Sequence, residues 1–457
     1  MKTLIDLYKI ENEKGFYDVK VNGFPLWYIF RHTYRNKWTG QDELIKNISN
    51  STWKNLSGAI SHSFKSLIDL LIILFGNAKK ENAFFPISRL QKVNGQYLDK
   101  FTDPIIDQTN LSKSYCIFQF SFRTDYNKTR QHRENTFSTE FALGLFRIFS
   151  LLFYYPHKLT NSSRKINELF DRAKGVLDLT DNDRKAWHEE FIFHDCQREM
   201  WQFIFKKLRI RRIFFVIRSM NYPQIVAAHA LGIPIYELQH GITFGESELY
   251  GGKFENCANP DKFLSFGDLW IGNQFGIEIE KIINIGWAYK SYISKFLQTK
   301  QKENAILIVS SPEISIAIVK TAIELANNYV DFLFEIRCHP EESLSEEILN
   351  KIDIVSNLLV ADNKVDSNLA LSQYKYILGT NSTVIYEALG QGKKVGRLCF
   401  NGLTCNRIKD VEDDGFFYLN SLEDFNLFIN SNSNTLAKQG YSDFNPESVE
   451  NLTKKEW

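Results

Sequence analysis

What most constrains this sequence is a rhythm in its second half. Short apolar runs at residues 304–310 (NAILIVS), 332–337 (FLFEIR), 358–361 (LLVA) and 376–378 (YIL) are separated by helical stretches at 314–327, from about 343, at 367–372 and after Ser382. Runs apolar at every position suit strands buried on both faces, which is the condition of a parallel sheet. Parallel strands need crossovers, usually helices, so alternation this dense predicts a doubly wound α/β domain.

The first half repeats the theme more loosely. Residues 82–88 (NAFFPIS), 114–122 (SYCIFQFSF), 212–217 (RIFFVI) and 234–238 (PIYEL) read as buried strands, and 263–287 hold two more short ones ending in glycine. Residues 221–231 (NYPQIVAAHAL) read as a helix with proline near its start and Gly232 as its stop. A chain of 457 residues exceeds what a single core usually supports. The expected fold class is therefore α/β with two Rossmann-like domains. A helical N-terminal extension spans 1–80, an acceptor domain 81–290 and a nucleotide-binding domain 300–430, with a lysine-rich linker between the two. A tail over 431–457 either folds back onto the first domain or hangs free.

Charge and cysteine usage narrow the partners. With 55 basic and 54 acidic residues the net charge is +1, so the chain lacks the field on which non-specific nucleic-acid binding relies, and no nucleic-acid partner is expected. Six cysteines without a CxxC pair, and no apolar h-region in residues 1–13, fit a reducing cytoplasm. Residues 66–76 (SLIDLLIILFG) are too short to span a bilayer. Residues 141–155 (FALGLFRIFSLLFYY) read as a core helix, the alternative being an interfacial helix that gives peripheral contact with the inner face of the membrane.

Three segments can carry chemistry. In 334–342 (FEIRCHPEE), His339 and Pro340 follow directly on a strand end, where open parallel sheets bind ligands, and proline stiffens the turn that presents the imidazole. In 376–388 (YILGTNSTVIYEA) the strand ends at Gly379, and Thr380, Asn381, Ser382 and Thr383 open a helix whose free amides suit an anion; an ordinary N-cap is the plain alternative. Glu387, one turn beyond Thr383 on the same face, suits ribose hydroxyls. In 237–244 (ELQHGITF), His240 is a candidate base or phosphate-holding cation and Gly241 permits close backbone approach. Glu246, Glu248 and Asp268 are alternative bases. Gln239 and Gly241, with Arg89 after the first strand, are candidates on the acceptor side, although Arg89 equally suits a surface salt bridge. No DxD-type pair ends a strand, so neither a metal-bridged diphosphate nor any cofactor is expected, and 412–414 read as a solvated acidic loop.

Together, 237–241 (ELQHG), 337–342 (RCHPEE) and 379–395 (GTNSTVIYEALGQGKKV) resemble the ordered motif set of bacterial capsule and lipopolysaccharide transferases. The second and third are similar to the HP and Ser-Ser/Thr motifs of bacterial sialyltransferases and polysialyltransferases. A similar HG, HP, Ser/Thr order occurs in CDP-glycerol glycerophosphotransferases. The resemblance covers about residues 213–424. It implies a GT-B glycosyltransferase with His339, Ser382 and Thr383 on the nucleotide phosphate and Glu387 on the ribose. Arg337, Pro340, Gly379, Thr380 and Asn381 line the same site, and His240 joins His339 as a catalytic candidate. The acidic base motif of the sialyltransferases is missing from the first half; its look-alike at 412–415 (EDDG) comes too late.

The expectation is a metal-independent transfer of sugar from a CMP- or CDP-type donor, or another nucleotide-activated one, to a surface-polysaccharide or lipid-linked glycan. A sugar-nucleotide epimerase of the same architecture and a non-catalytic assembly protein are the alternatives.

Overall fold

The computed structural model describes residues 4–39, 56–77, 79–87, 90–120, 130–149, 152, 155–241, 243, 250, 253–270, 277–296, 301–339, 342–363, 365–405, 415–431 and 440–454. Two parallel sheets organise them. The first contains β1 (Asn82–Phe85), β2 (Tyr115–Gln119), β3 (Thr136–Ser138), β4 (Arg212–Val216), β5 (Ile235–Leu238), β6 (Lys262–Ser265) and β7 (Ile282–Asn284), in the spatial order β7-β6-β5-β4-β1-β2-β3. The second contains β8 (Ala305–Val309), β9 (Leu333–Arg337), β10 (Leu358–Val360), β11 (Tyr376–Gly379), β12 (Lys394–Leu398) and β13 (Phe417–Leu419), ordered β10-β9-β8-β11-β12-β13. Each sheet begins at an inner strand, winds outward, then reverses to the other side. This is the doubly wound order with a switch point at its reversal, β1/β4 in the first lobe and β8/β11 in the second. The chain thus has two Rossmann-like lobes, the GT-B arrangement.

Side-chain alternation along the strands builds the layers. Ala83 and Phe85 face one core while Phe84 faces another; Ile306 and Ile308 likewise turn away from Ala305, Leu307 and Val309. The inward sets from both sheets, Phe84, Phe214 and Leu264 with Leu307 and Ile377, belong to one apolar cluster that runs between the lobes. The lobes are therefore packed on each other rather than merely tethered.

The N-terminal helices Leu4–Glu13, Trp27–Thr39 and Leu56–Phe75 share the outer core of the first lobe. Buried Glu11 accepts from Arg31 Nε at 2.8 Å and from the Tyr17 hydroxyl at 2.7 Å, so the charge there is satisfied internally. Between β3 and β4 lies a feature the strand-and-helix reading passed over, the 28-residue helix Asp181–Leu208. Thr180 caps it with a complete capping box to Asp183; Trp201 and Phe205 pack on Phe85 of the sheet, while Trp187 stacks on Phe30 of the second N-terminal helix. Strands β3, β12 and β13 also exceed expectation. Residues expected to begin the linker form the helix Ala288–Ile293, which belongs to the first lobe.

The tail folds back. Trp287 N donates to Ser442 O at 2.9 Å and Asn110 N to Glu450 Oε1 at 3.1 Å, which seats helix Pro446–Lys454 on the first lobe. Gly286, at φ 71°, is needed for this return, because a Cβ there would stand 2.0 Å from the Asp443 carbonyl oxygen. No helix among the described residues is long and apolar enough to cross a membrane.

Candidate functional site

At the second lobe's switch point the strands end in line. Val309 pairs with Arg337, Ile308 with Leu378 and Gly379 with Arg397, so the loops leaving β8, β9, β11 and β12 share one rim. The turn after β11 is tight. A Cβ on Gly379 would lie 2.7 Å from Ile385 Cγ2, so only glycine lets helix Thr383–Gly390 fold back this closely on its strand. Ser382 is the N-cap: its Oγ accepts from Val384 N at 3.3 Å and its carbonyl from Ile385 N at 3.3 Å, so Thr383 N is the first-turn amide not drawn into the cap.

A buried guanidinium fixes that turn from behind. Arg397 Nε donates to Thr380 O at 2.8 Å and Nη2 to Asn381 Oδ1 at 2.7 Å, with the Phe416 ring 4.9 Å from Cζ. Two donors in one planar fork set both residues at once. Asn381 Nδ2 also donates to Thr404 O at 3.2 Å. The sequence reading stopped at Val395 and missed Arg397.

His339 occupies the neighbouring loop. Glu342 closes that loop by accepting from His339 N at 2.9 Å, while Ser310 Oγ, just beyond β8, donates to its other oxygen at 2.8 Å. The histidine loop is thereby tied to the strand beside β11. Arg337 turns its guanidinium to the carbonyls of Asp362 (3.2 Å) and Val365 (2.6 Å). Burial holds its pKa below the ordinary arginine value, against the pull of Asp366 and Glu387. Pro340 lies outside the described residues, as do Arg89, Glu246, Glu248 and the acidic loop 412–414.

From the first lobe comes the end of β5. Glu237 is wholly buried and meets Arg218 Nη2 at 2.8 Å; burial raises its pKa, with Arg218 opposing. Gln239 is also wholly buried: its Nε2 donates to Gly241 O at 2.8 Å and its Oε1 accepts from Phe266 N at 2.8 Å. These bonds make Gln239 a shaper of the loop, with no amide group left to face an acceptor. His240 N donates to the Tyr250 hydroxyl at 2.8 Å, and its half-buried ring lies 5.1 Å from Phe101. A Cβ on Gly241 would meet Thr383 Cγ2 at 3.4 Å, so the His240–Gly241 turn abuts the helix start of the other lobe. Ile217, following β4 at the first lobe's switch point, sits at φ 63°, a strained conformation for a β-branched residue. Asn221 Nδ2 braces it by donating to the carbonyls of Val216 (3.1 Å) and Ile217 (2.9 Å).

Behind this contact the lobes share charge. Lys100 of the first lobe donates to Glu387 Oε1 at 3.1 Å, and Glu387 Oε2 is buried without a hydrogen-bond partner among the described residues. Burial works against the Lys100 ammonium, yet Glu387 and Asp366 outweigh it and raise the pKa. Next along the chain, Asp99 and Asp103 are buried beside Arg130. Burial also raises the Asp99 pKa, with Arg130 opposing. Asp268 is exposed and accepts from Asn284 Nδ2 at 2.7 Å. Lys100, Glu342 and Asp99 were not singled out from the sequence. Only Glu342 carried a signal, an acid three residues after His339 in a turn.

No protein-family model and no curated protein matches the chain. Among solved structures it is similar to UDP-GlcNAc 2-epimerase from Neisseria meningitidis bound to UDP-GlcNAc, at 14% identity and TM-score 0.49, over 82% of this chain and 100% of that one. The Methanocaldococcus jannaschii UDP-GlcNAc 2-epimerase is similar at 11% identity and TM-score 0.48, over 82% and 98%. The lipopolysaccharide outer core galactosyltransferase WaaB is similar at 10% identity and TM-score 0.40, over 77% and 89%. The first two are named for a nucleotide sugar and the third for galactosyl transfer. The assignment of architecture here rests on the strand order itself.

Proposed function

We propose that this chain is a metal-independent glycosyltransferase. The second lobe holds a nucleotide-activated sugar donor, and the first presents a surface-polysaccharide or lipid-linked glycan acceptor. The observation that carries the reading is the meeting of Gly241 with Thr383, which brings a histidine turn of one lobe against the anion-receptive helix start of the other. A leaving nucleotide phosphate at that helix start gains amide donors and the His339 side of the rim. Charge developing on the departing oxygen is stabilised there by groups already in place. His240, in the turn of the other lobe, takes the acceptor proton or adds positive charge in this reading. Glu387 serves the ribose once Lys100 yields it.

Calorimetric titration with CMP, CDP and UDP tests the first half of this reading, and absence of binding by all three overturns it. A donor panel incubated with and without glycan acceptor tests the second half. Transfer requires acceptor, whereas conversion of donor alone identifies an epimerase. His339→Ala is expected to lower turnover by at least roughly a hundredfold with the melting temperature unchanged. Retained turnover removes the role given to His339.

A further inference from the structure

Outside the cleft the first lobe carries an apolar face that none of the described residues covers. Helix Leu56–Phe75 exposes Phe64 (65%), Ile68, Leu71, Ile72 and Phe75 (80%), spaced four, three, one and three residues apart along one side. Its neighbour Glu140–Phe149 adds Ile148 and Phe149, both more than half exposed. Asp69, the only acid of the longer helix, is buried against Lys65 and the Ser138 amide, so no carboxylate of that helix interrupts its exposed side. A contiguous apolar surface of this kind on a folded lobe marks an interaction site.

The charges at its end indicate what lies against it. Lys80 N donates to Leu208 O at 2.9 Å, which brings the C-terminal end of the apolar helix to the C-terminal end of Asp181–Leu208. That junction carries exposed Lys79, Lys206, Lys207 and Arg209, none of them in an ion pair among the described residues, and Phe203 is exposed one turn before Lys206 and Lys207. Apolar side chains beside unpaired cations match an anionic lipid surface, where hydrocarbon takes the first and headgroup charge the second. A second copy of the chain would bring the same cations and no carboxylate from this helix. The opposite end of the face reaches the level of the cleft, since Ser66 Oγ donates to Ser138 O, at the C-terminal end of edge strand β3, at 2.9 Å.

We propose that this face is a docking surface for an anionic membrane, with helix Leu56–Phe75 lying in the interface. Flotation of the full chain with vesicles of phosphatidylcholine alone, and with about one third phosphatidylglycerol, tests it. Binding is expected only to the anionic vesicles and is expected to weaken as salt rises. The triple variant Leu71→Ser, Ile72→Ser, Phe75→Ser should lose binding at any salt. Lys79→Glu, Lys206→Glu, Lys207→Glu should lower it at least fiftyfold, from roughly fivefold per cation. Nucleotide affinity and melting temperature should stay as in the parent, which separates this surface from the cleft and its proposed chemistry. Failure of the parent to float with anionic vesicles overturns the proposal, and so does equal flotation of parent and variants. A dimer in light scattering that the serine variant dissolves also overturns it, because a second copy would then cover the face.

Discussion

Arg397 shows how a residue can govern a site it does not enter. Its two hydrogen bonds fix the Thr380 carbonyl and the Asn381 side chain together, and it is wholly buried, so the charge is kept in one geometry. Lysine at this position keeps the charge but presents a point donor that reaches one of the two groups at a time. Arg397→Lys is therefore expected to loosen the turn and weaken nucleotide binding about tenfold by calorimetry, while circular dichroism stays unchanged. Unaltered affinity would assign Arg397 to packing alone. The sequence announced Ser382, Thr383 and Gly379, because caps and tight turns demand particular residue types. It did not announce Arg397, because an arginine inside a strand reads as a solvent-facing residue until the neighbouring strand and loop are in place. Gln239 is the converse case. Its position beside His240 looked functional, yet both amide groups are consumed in holding the loop.

At the scale of elements, legibility followed apolar composition. Strands β8 and β11 lie at the centre of their sheet and their apolar runs declared them, and β9 beside them kept enough of a run around Glu335 to be read. Strand β12 carries Lys394 and Arg397, and β3 is an edge strand of three residues, so neither produced a run. Helix Asp181–Leu208 had its capping box and its spaced tryptophans in plain sight. No strand interrupts those residues, so the strand-and-helix alternation gives no sign of it. That helix also buries a titratable group. His194 is wholly enclosed and stacks on Phe24 at 5.3 Å, and burial depresses its pKa from 6.5 to about 4, Asp195 opposing. Between these two values the unfolded chain binds a proton that the folded one refuses, so its contribution to stability is present above pH 6.5 and is lost as pH falls toward 4. The loss is on the order of 3 kcal/mol. Urea titrations across this window should show it, and His194→Phe should flatten that part of the profile. A profile of unchanged slope in the variant would mean that other groups dominate the acid response.

The whole molecule is held as two lobes sharing a core, and among the described residues an ion pair crosses between them. Lys100 and Glu387 are both largely enclosed at 3.1 Å, and the carboxylate has an unpartnered second oxygen. A pair taken so far from water contributes little net stability, but removal of one member leaves the other charged and unsolvated at a cost of about 3–5 kcal/mol. Water admitted locally beside the pair can reduce that cost, whereas separation of the lobes would expose the apolar cluster they share. Lys100→Met is thus expected to lower stability by up to that amount in urea titrations. Glu387→Gln added to it should restore the parent value, since neither buried charge then remains. A double-mutant cycle separates this from simple loss of packing, which would make the two changes additive. The same pair also couples the seam to the cleft. If the ribose of the proposed nucleotide takes Oε1 rather than the second oxygen, it displaces Lys100, and nucleotide should then bind Lys100→Met more tightly than the parent. Weaker binding by Lys100→Met would place the ribose elsewhere and leave the pair a purely structural clasp.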